Sequence, residues 1–246
     1  MKTSGNTVLI TGGATGIGLA MAEAFINSGN RVIICGRRRE KLEIAKSRLP
    51  QVHTLAYDVT REAERNSLIG QLKNDFPELN VLVNNAGIQR FVDFKTGHYE
   101  PADIQQEIDT NLAAPIFLSG LCVPLFLKQK QAAVANVSSG LGFIPIAAMP
   151  VYCATKAALH SFTVSLRQQL KNTPIKVFEI IPPTVATELG STEEAQRGIT
   201  PAEVARAALE GIGNDNYEIA VGEAAGLVEG ARTNFNQLFQ RLNDWG

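Results

Sequence analysis

The chain has 246 residues, of which 45% are hydrophobic and 19% charged, and its formal net charge is −1. Such a length and composition fit a soluble α/β chain with a substantial core. The near-neutral balance excludes a long-range field that would recruit nucleic acid or an anionic membrane. Cys35, Cys122 and Cys153 lie far apart with no disulfide or metal-ligand spacing, so a reducing compartment and no bound metal are expected.

Met1 to Asn6 run directly into a strand-like segment, without the apolar region of a signal peptide. The most apolar run, Ala113 to Leu127, is too short to span a bilayer. A cytoplasmic location with no membrane partner is expected. The cluster Arg37-Arg38-Arg39 is followed at once by Glu40 and Glu43, which makes it a local feature rather than a nucleic-acid-binding arm.

Thr7 to Ile10 is a short β-branched run that reads as a buried strand, and Leu19 to Asn27 reads as a helix. Between them, Thr11-Gly12-Gly13-Ala14-Thr15-Gly16-Ile17-Gly18 spaces its glycines as G-x-x-x-G-x-G. Strand, glycine turn and helix present backbone N–H groups and a helix N-terminus to a pyrophosphate. Arg31 to Cys35 is a second strand, ending at Gly36-Arg37-Arg38. An acid here would bind a ribose 2′-hydroxyl and select NAD(H). Gly36 is no acid, and a guanidinium can grip a 2′-phosphate bidentately, so NADP(H) is preferred and NAD(H) is the alternative. The competing reading makes Arg37 and Arg38 solvated charges at the start of the next helix, Glu40 to Leu49.

A third strand, Val52 to Ala56, ends at Tyr57-Asp58-Val59-Thr60. Asp58 could accept a hydrogen bond from an adenine amino group or cap the helix that begins near Arg61. Val81 to Val83 is a fourth strand, followed by Asn84-Asn85-Ala86-Gly87. Small and amide residues there suit close packing and hydrogen bonds to neighbouring strands. The apolar stretch Pro101 to Lys128 contains Asn111 and, four residues on, Pro115. Proline lacks the N–H that would bond the Asn111 carbonyl, which predicts a kink and a carbonyl free to hold water.

Val134 to Val137 is a fifth strand ending in Ser138-Ser139-Gly140, and Tyr152 follows Ser139 by thirteen residues at the start of a helix. Tyr152 and Lys156 are four apart, so they share one helix face. A nearby ammonium lowers a phenol pKa from its usual value near ~10. Such pairs are common on solvated surfaces, and the pair alone does not carry an activity. Ile175 to Ile181 is a sixth strand closed by Pro182-Pro183-Thr184-Val185-Ala186-Thr187, and the polar stretch Glu188 to Gly198 predicts a mobile loop. Thr200-Pro201-Ala202-Glu203 carries an N-cap, a proline and a capping-box glutamate at a helix start. A last strand near Tyr217 to Val221 and a helix over about 224–242 complete the chain.

This alternation predicts one α/β domain spanning 1–246, a doubly wound, seven-stranded parallel sheet of Rossmann type with helices on both faces. Ligands of such sheets sit beyond the carboxyl ends of the strands, where Gly12, Asp58, Asn84, Ser139 and Val185 all fall.

Together, the Thr11–Gly18 turn, Asn84-Asn85-Ala86-Gly87, Asn111, Ser139 and Tyr152-x-x-x-Lys156 resemble the short-chain dehydrogenase/reductase family over essentially the whole chain. The stretch Ser138 to Lys171 also looks like the DltE-like bacterial oxidoreductase subgroup. The resemblance implies a reversible, NAD(P)(H)-dependent carbonyl reductase with a catalytic set of Asn111, Ser139, Tyr152 and Lys156. Tyr152 would be the general acid or base, Lys156 would lower its pKa and hold the nicotinamide ribose, and Ser139 would polarise the substrate oxygen. Asn111 would hold a relay water by its main-chain carbonyl. By the same resemblance the cofactor would meet Gly12, Thr15, Gly16, Ile17, Gly18, Arg37, Arg38, Asp58, Val59, Asn84, Ala86, Gly87, Tyr152, Lys156, Val185 and Thr187.

Where the family has Pro-Gly this chain has Pro182-Pro183, which predicts a stiffer cofactor-covering segment. Ser138 is set aside for Ser139 by the thirteen-residue offset, and His53, His98 and His160 share no ligand spacing. Gln89, Leu141, Phe143, Met149 and residues 188–198 are expected to line a mostly apolar substrate pocket without an anion anchor. The family also implies a homodimer or homotetramer through the helices of 101–128 and 151–172. The alternative function is a non-catalytic dinucleotide sensor or scaffold, which has no need for serine, tyrosine and lysine together. A nucleotide-sugar epimerase or dehydratase is disfavoured by the glycine spacing and the absence of a sizeable C-terminal substrate domain.

Overall fold

The computed structural model describes residues 1–97, 99–189 and 197–244. Its sheet has seven parallel strands in the order β3-β2-β1-β4-β5-β6-β7. In chain order the elements are β1 (Thr7–Thr11), α1 (Gly16–Asn27), β2 (Arg31–Gly36), α2 (Arg39–Arg48), β3 (His53–Ala56), α3 (Glu62–Asp75) and β4 (Leu79–Asn84). There follow α4 (Pro101–Ile108), α5 (Ala114–Phe126), β5 (Ala132–Val137), α6 (Pro150–Gln169) and β6 (Ile175–Ile181). The chain closes with α7 (Pro201–Gly213), β7 (Glu218–Ala220), α8 (Ala224–Thr233) and α9 (Phe235–Asn243). The expected helix over 224–242 is therefore two helices, broken at Asn234.

The middles of the central strands are apolar because both faces of the sheet are covered. Val8 and Ile10 of β1 meet Met21, Phe25 and Val204 on one face, while Leu9 between them joins Leu68, Leu118 and Phe126 on the other. β2 alternates likewise, with Val32 and Ile34 on the first face and Ile33 and Cys35 on the second. The order reverses between β1 and β4, so the chain ends after these strands splay apart and leave a crevice.

The predicted break near Pro115 is a π-helical turn, Asp109–Ala113, in which the Ala114 N–H bonds the Asp109 carbonyl. Proline at 115 cannot continue an i→i+4 ladder, and the wider turn accommodates it. The helical path from Pro101 to Phe126 nevertheless runs unbroken for 26 residues, long and apolar enough to cross a membrane. The expectation from Ala113–Leu127 that this stretch is too short is thus corrected. In this fold Leu118, Cys122 and Phe126 of that path are spent on the sheet.

Candidate active site

The turn after β1 and the turn after β4 are pinned together. Thr11 Oγ1 accepts the N–H groups of Asn85 and Ala86, both at 3.1 Å, and Asn85 Nδ2 donates to the carbonyls of Thr11 and Gly12 at 3.0 and 3.2 Å. Gly12 has φ +63°, and a Cβ on it would stand 2.9 Å from Ala86 Cα. A Cβ on Gly18 would stand 2.4 Å from the Gly12 carbonyl oxygen. Only glycine lets helix, strand and neighbouring turn come this close, and the result is a cradle floored by backbone.

Across this cradle runs a cleft of about 1460 Å³, spacious for a ligand site. Among the expected residues, Gly12, Thr15, Gly16, Ile17, Arg37, Arg38, Asp58, Val59, Ala86, Gly87, Ser139, Tyr152, Lys156, Val185 and Thr187 line it. Gly18, Asn84 and Asn111 stand behind the wall. Asn84 is buried with Nδ2 donating to Asn136 Oδ1 at 2.8 Å, a bond between β4 and β5, and its neighbour Asn85 faces the cleft instead. Successive strand residues point to opposite faces, and the register settles which amide faces outward. Asn111 accepts the Ile88 N–H at 2.9 Å and donates to the Ile88 carbonyl at 2.8 Å, which fixes the chain leaving β4.

Asp58 lines the cleft and at the same time braces the turn that follows β3. Its Oδ1 accepts the backbone N–H and hydroxyl of Thr60 at 3.0 and 2.7 Å, two residues before α3 begins. Arg38 faces Glu188 at 3.7 Å, and Lys41 donates to the same carboxylate at 2.8 Å. Arg37 has no ion pair among the described residues, so its guanidinium is the freer one at the end of β2.

Tyr152 and Lys156 lie on the first turns of α6, both buried. Lys156 Nζ sits 5.6 Å from the centre of the Tyr152 ring and donates to the Val137 carbonyl at 2.9 Å. Burial pulls the Lys156 pKa down to about 8, with the carboxylates of Glu107 and Glu179 opposing the fall. Ser139 Oγ accepts the Leu141 N–H at 3.1 Å, which leaves its own hydrogen available to a ligand. The Ser138 hydroxyl is committed to Glu179 Oε1 at 2.6 Å.

Leu141, Gln89 and Met149 line the cleft as expected, but Phe143 does not: its ring packs at a tilt against His160 and joins Ile181, Ala224 and Val228 behind it. Of the residues expected from 188–198, Glu188, Leu189 and Arg197 line the cleft, and 190–196 lie outside the described residues, as does His98. The sequence reading missed Leu227, Leu238, Arg241 and Leu242, which α8 and α9 bring to the rim. That docking depends on Asn243, whose Nδ2 donates to the Pro145 carbonyl at 3.1 Å, a contact no motif signals. The cleft is mostly apolar, as expected from sequence, but Arg197 and Arg241 also stand on its wall, where no anion anchor was expected.

His53 packs edge-on against Phe76. His160 Nδ1 bonds Glu179 Oε2 at 2.8 Å. His160, Glu179 and Glu218 bring ligand atoms within 4.8 Å of one another, a grouping that spacing did not reveal. Their oxygens are already engaged: Glu179 by Ser138 and His160, Glu218 by Arg232. The thiols of Cys35 and Cys122 are buried and pushed up to about 12 by that burial, which leaves them unreactive.

A family model described as short chain dehydrogenase matches residues 6–198. The chain belongs to that family. This short-chain dehydrogenase is 44% identical to the uncharacterised oxidoreductase DltE of Bacillus subtilis, over 99% of this chain and 98% of that protein. Its fold matches a short chain dehydrogenase from Burkholderia cenocepacia, solved in complex with NADP, with a TM-score of 0.87, 23% identity and coverage of 98% and 99%. It matches equally well a short chain dehydrogenase/reductase from Burkholderia phymatum solved with NAD, with a TM-score of 0.87, 19% identity and coverage of 100% and 98%. The chain is thus an oxidoreductase of DltE-like type on a Rossmann sheet.

Proposed function

We propose that this short-chain dehydrogenase reduces a ketone or aldehyde to an alcohol, reversibly, with NADP(H) preferred over NAD(H). The observation that carries the proposal is the meeting of Ser139, Tyr152 and Lys156 in one cleft with the Gly12–Gly18 cradle. Tyr152 is the general acid in reduction and the base in oxidation: its phenol hands a proton to the substrate oxygen. The Lys156 ammonium, fixed by the Val137 carbonyl, faces the ring and favours the phenolate. Ser139 aims its hydroxyl hydrogen at the same oxygen, where negative charge builds. Asn111, through its main-chain carbonyl, holds the water by which Lys156 exchanges its proton.

The cradle fits a dinucleotide, because the φ and the missing Cβ of Gly12 open a backbone floor to a phosphate. Gly12, Thr15, Gly16 and Ile17 would hold the pyrophosphate, with Gly18 keeping α1 against the floor. Arg37 would take the 2′-phosphate, Arg38 sharing it on release from Glu188, and Asp58 with Val59 would flank the adenine. Ala86 and Gly87, backed by Asn84, would border a ribose, and Val185 and Thr187 the carboxamide. The hydride is what such a cofactor supplies when bound. Two proteins of this fold, solved with NADP and with NAD, support the dinucleotide without choosing between the two.

The same proposal takes the chain as one domain acting in the cytoplasm as a homodimer or homotetramer. Phe117 on α5 at 52% exposure, Leu127 just past its end at 47%, and Val164 on α6 at 42% support pairing through these helices. Light scattering showing a stable monomer would contradict it. NADPH consumption over a panel of small ketones and aldehydes tests the activity: turnover is expected, and nucleotide binding with no turnover on any carbonyl would favour a sensor instead.

A further inference from the structure

Glu107 lies in the last turn of α4 with none of its surface exposed. Its Oε1 accepts the Arg90 N–H at 3.2 Å, and its Oε2 has no hydrogen-bond partner among the described residues. Buried carboxylate oxygens are nearly always satisfied, so an open one calls for a charge, a proton or a water. Glu107 precedes Asn111 by four residues, the spacing that sets two side chains on one helix face. The chain after β4 hangs on both, Ile88 N–H on Asn111 and Arg90 N–H on Glu107.

Lys156 closes the arrangement from α6. A Cβ on Gly87 would stand 3.5 Å from Asn111 Oδ1 and 3.6 Å from Lys156 Nζ, so amide and ammonium flank one small space. The ammonium has three donors, and Val137 is its one hydrogen-bond acceptor among the described residues. Of the two fully buried acids near it, Glu179 is already spent on Ser138 and His160. Glu107 keeps an oxygen open.

We propose that Glu107 is a positioning residue whose buried carboxylate, without direct ion-pair contact, is the counter-charge that keeps Lys156 an ammonium. Burial lowers the Lys156 pKa, and Glu107 opposes that fall more strongly than Glu179 does. Burial raises the Glu107 carboxyl, while the Arg90 bond and the charges of Arg90 and Lys156 hold it down. The other groups facing this pair are few. The Arg90 guanidinium is engaged by Gln106 and Asp103, the Cys153 thiol is buried and pushed up, and Tyr152 lies on the same helix as the lysine. The part Glu107 plays in turnover rests on the tyrosine chemistry proposed above; the charge pair does not.

Protein labelled with ¹³C at lysine Cε and glutamate Cδ tests the pair without substrate, the Lys156 signal being assigned from Lys156→Arg. In the unmutated protein Lys156 is expected to titrate near 8, and the Glu107 carboxyl signal should move through the same midpoint. In Glu107→Gln, which retains an acceptor for Arg90, the lysine midpoint should fall by about one pH unit or more, and Glu107→Asp should restore most of it. The alkaline limb of kcat/KM for carbonyl reduction should shift with it in the Gln variant. An unchanged lysine midpoint in Glu107→Gln overturns the proposal. So does a Glu107 signal in the unmutated protein that ignores the Lys156 titration, which decides the matter even if the variants fail to fold. If the NMR shifts appear but no carbonyl is reduced, the charge pair stands and the functional reading falls.

Discussion

Glu188 accepts a hydrogen bond from Lys41 at 2.8 Å, joining the segment after β6 to α2 across the mouth of the cleft. The same carboxylate faces Arg38 at 3.7 Å, so one acid neutralises two cations beside the proposed 2′-phosphate position. Arg37 alone of this group is unpaired among the described residues. Replacing Arg37 with Ala should therefore raise the Kd for NADPH about ten- to a hundredfold, the cost of a lost charge-assisted bond, and leave NADH nearly untouched. Glu188→Gln should act in the opposite direction, tightening NADPH by releasing Arg38 and Lys41. Fluorescence titration with both nucleotides measures the two changes, and a clear preference of the unmutated protein for NADH would overturn the role given to Arg37.

The pH dependence follows from Lys156. Its folded pKa is lowered from 10.5 to about 8, so the ammonium is present below that value and lost above it. Carbonyl reduction needs the ammonium beside a protonated Tyr152, and kcat/KM should fall as pH rises through about 8. Stability should move the other way. Between the folded and unfolded values the unfolded lysine binds the proton more strongly, so this residue's contribution to stability increases from about 8 toward 10.5. Rate profiles and urea unfolding across that range should show opposite slopes.

His160 supports Glu179 rather than the reacting atoms. Its folded pKa is raised, first by the hydrogen bond to Glu179, so its stabilisation is complete below the ordinary value of 6.5 and is lost as pH rises through the folded value. His160→Ala leaves a fully buried carboxylate with the Ser138 hydroxyl alone, at a cost of ~1–3 kcal/mol. Chemical denaturation should show a larger deficit at acidic than at alkaline pH. An equal deficit at both would mean that the ion pair contributes nothing beyond packing.

Gly18→Ala tests the cradle. The new Cβ would meet the Gly12 carbonyl oxygen at 2.4 Å and Asn85 Nδ2 at 2.5 Å, and the first of these is backbone. The turn must shift, at a cost of ~2–3 kcal/mol in stability. Calorimetry with NADPH should report a large loss of affinity alongside a lowered Tm. Wild-type affinity would show that the turn is not the binding floor.

Much of this was legible in the sequence, because strand-end chemistry is local: the glycine turn, Ser139, and the Tyr152–Lys156 spacing each sit where their own flanking residues put them. What was not legible depended on register or on distant docking. Asn84 and Asn85 are adjacent amides, and only the pairing of β4 with β5 turns the first inward. Phe143 reads as a pocket residue by position but is drawn behind the wall by His160 and Val228. Leu238, Arg241 and Leu242 reach the cleft because α9 is tied to the chain before α6, more than ninety residues earlier in sequence. Glu107 carries no motif at all; its significance appears only when its oxygen is found buried and open.

The central claim is that Tyr152 passes the proton while the rest of the cleft holds the reactants. Its most direct test is kcat for NADPH-dependent reduction of the best carbonyl in the panel, compared between the unmutated enzyme and Tyr152→Phe, with the Kd for NADPH measured on both. Removing a general acid costs roughly 10²–10⁴-fold in rate, so the variant should lose at least that factor while binding NADPH within about twofold of the original. Full turnover by Tyr152→Phe would contradict the account.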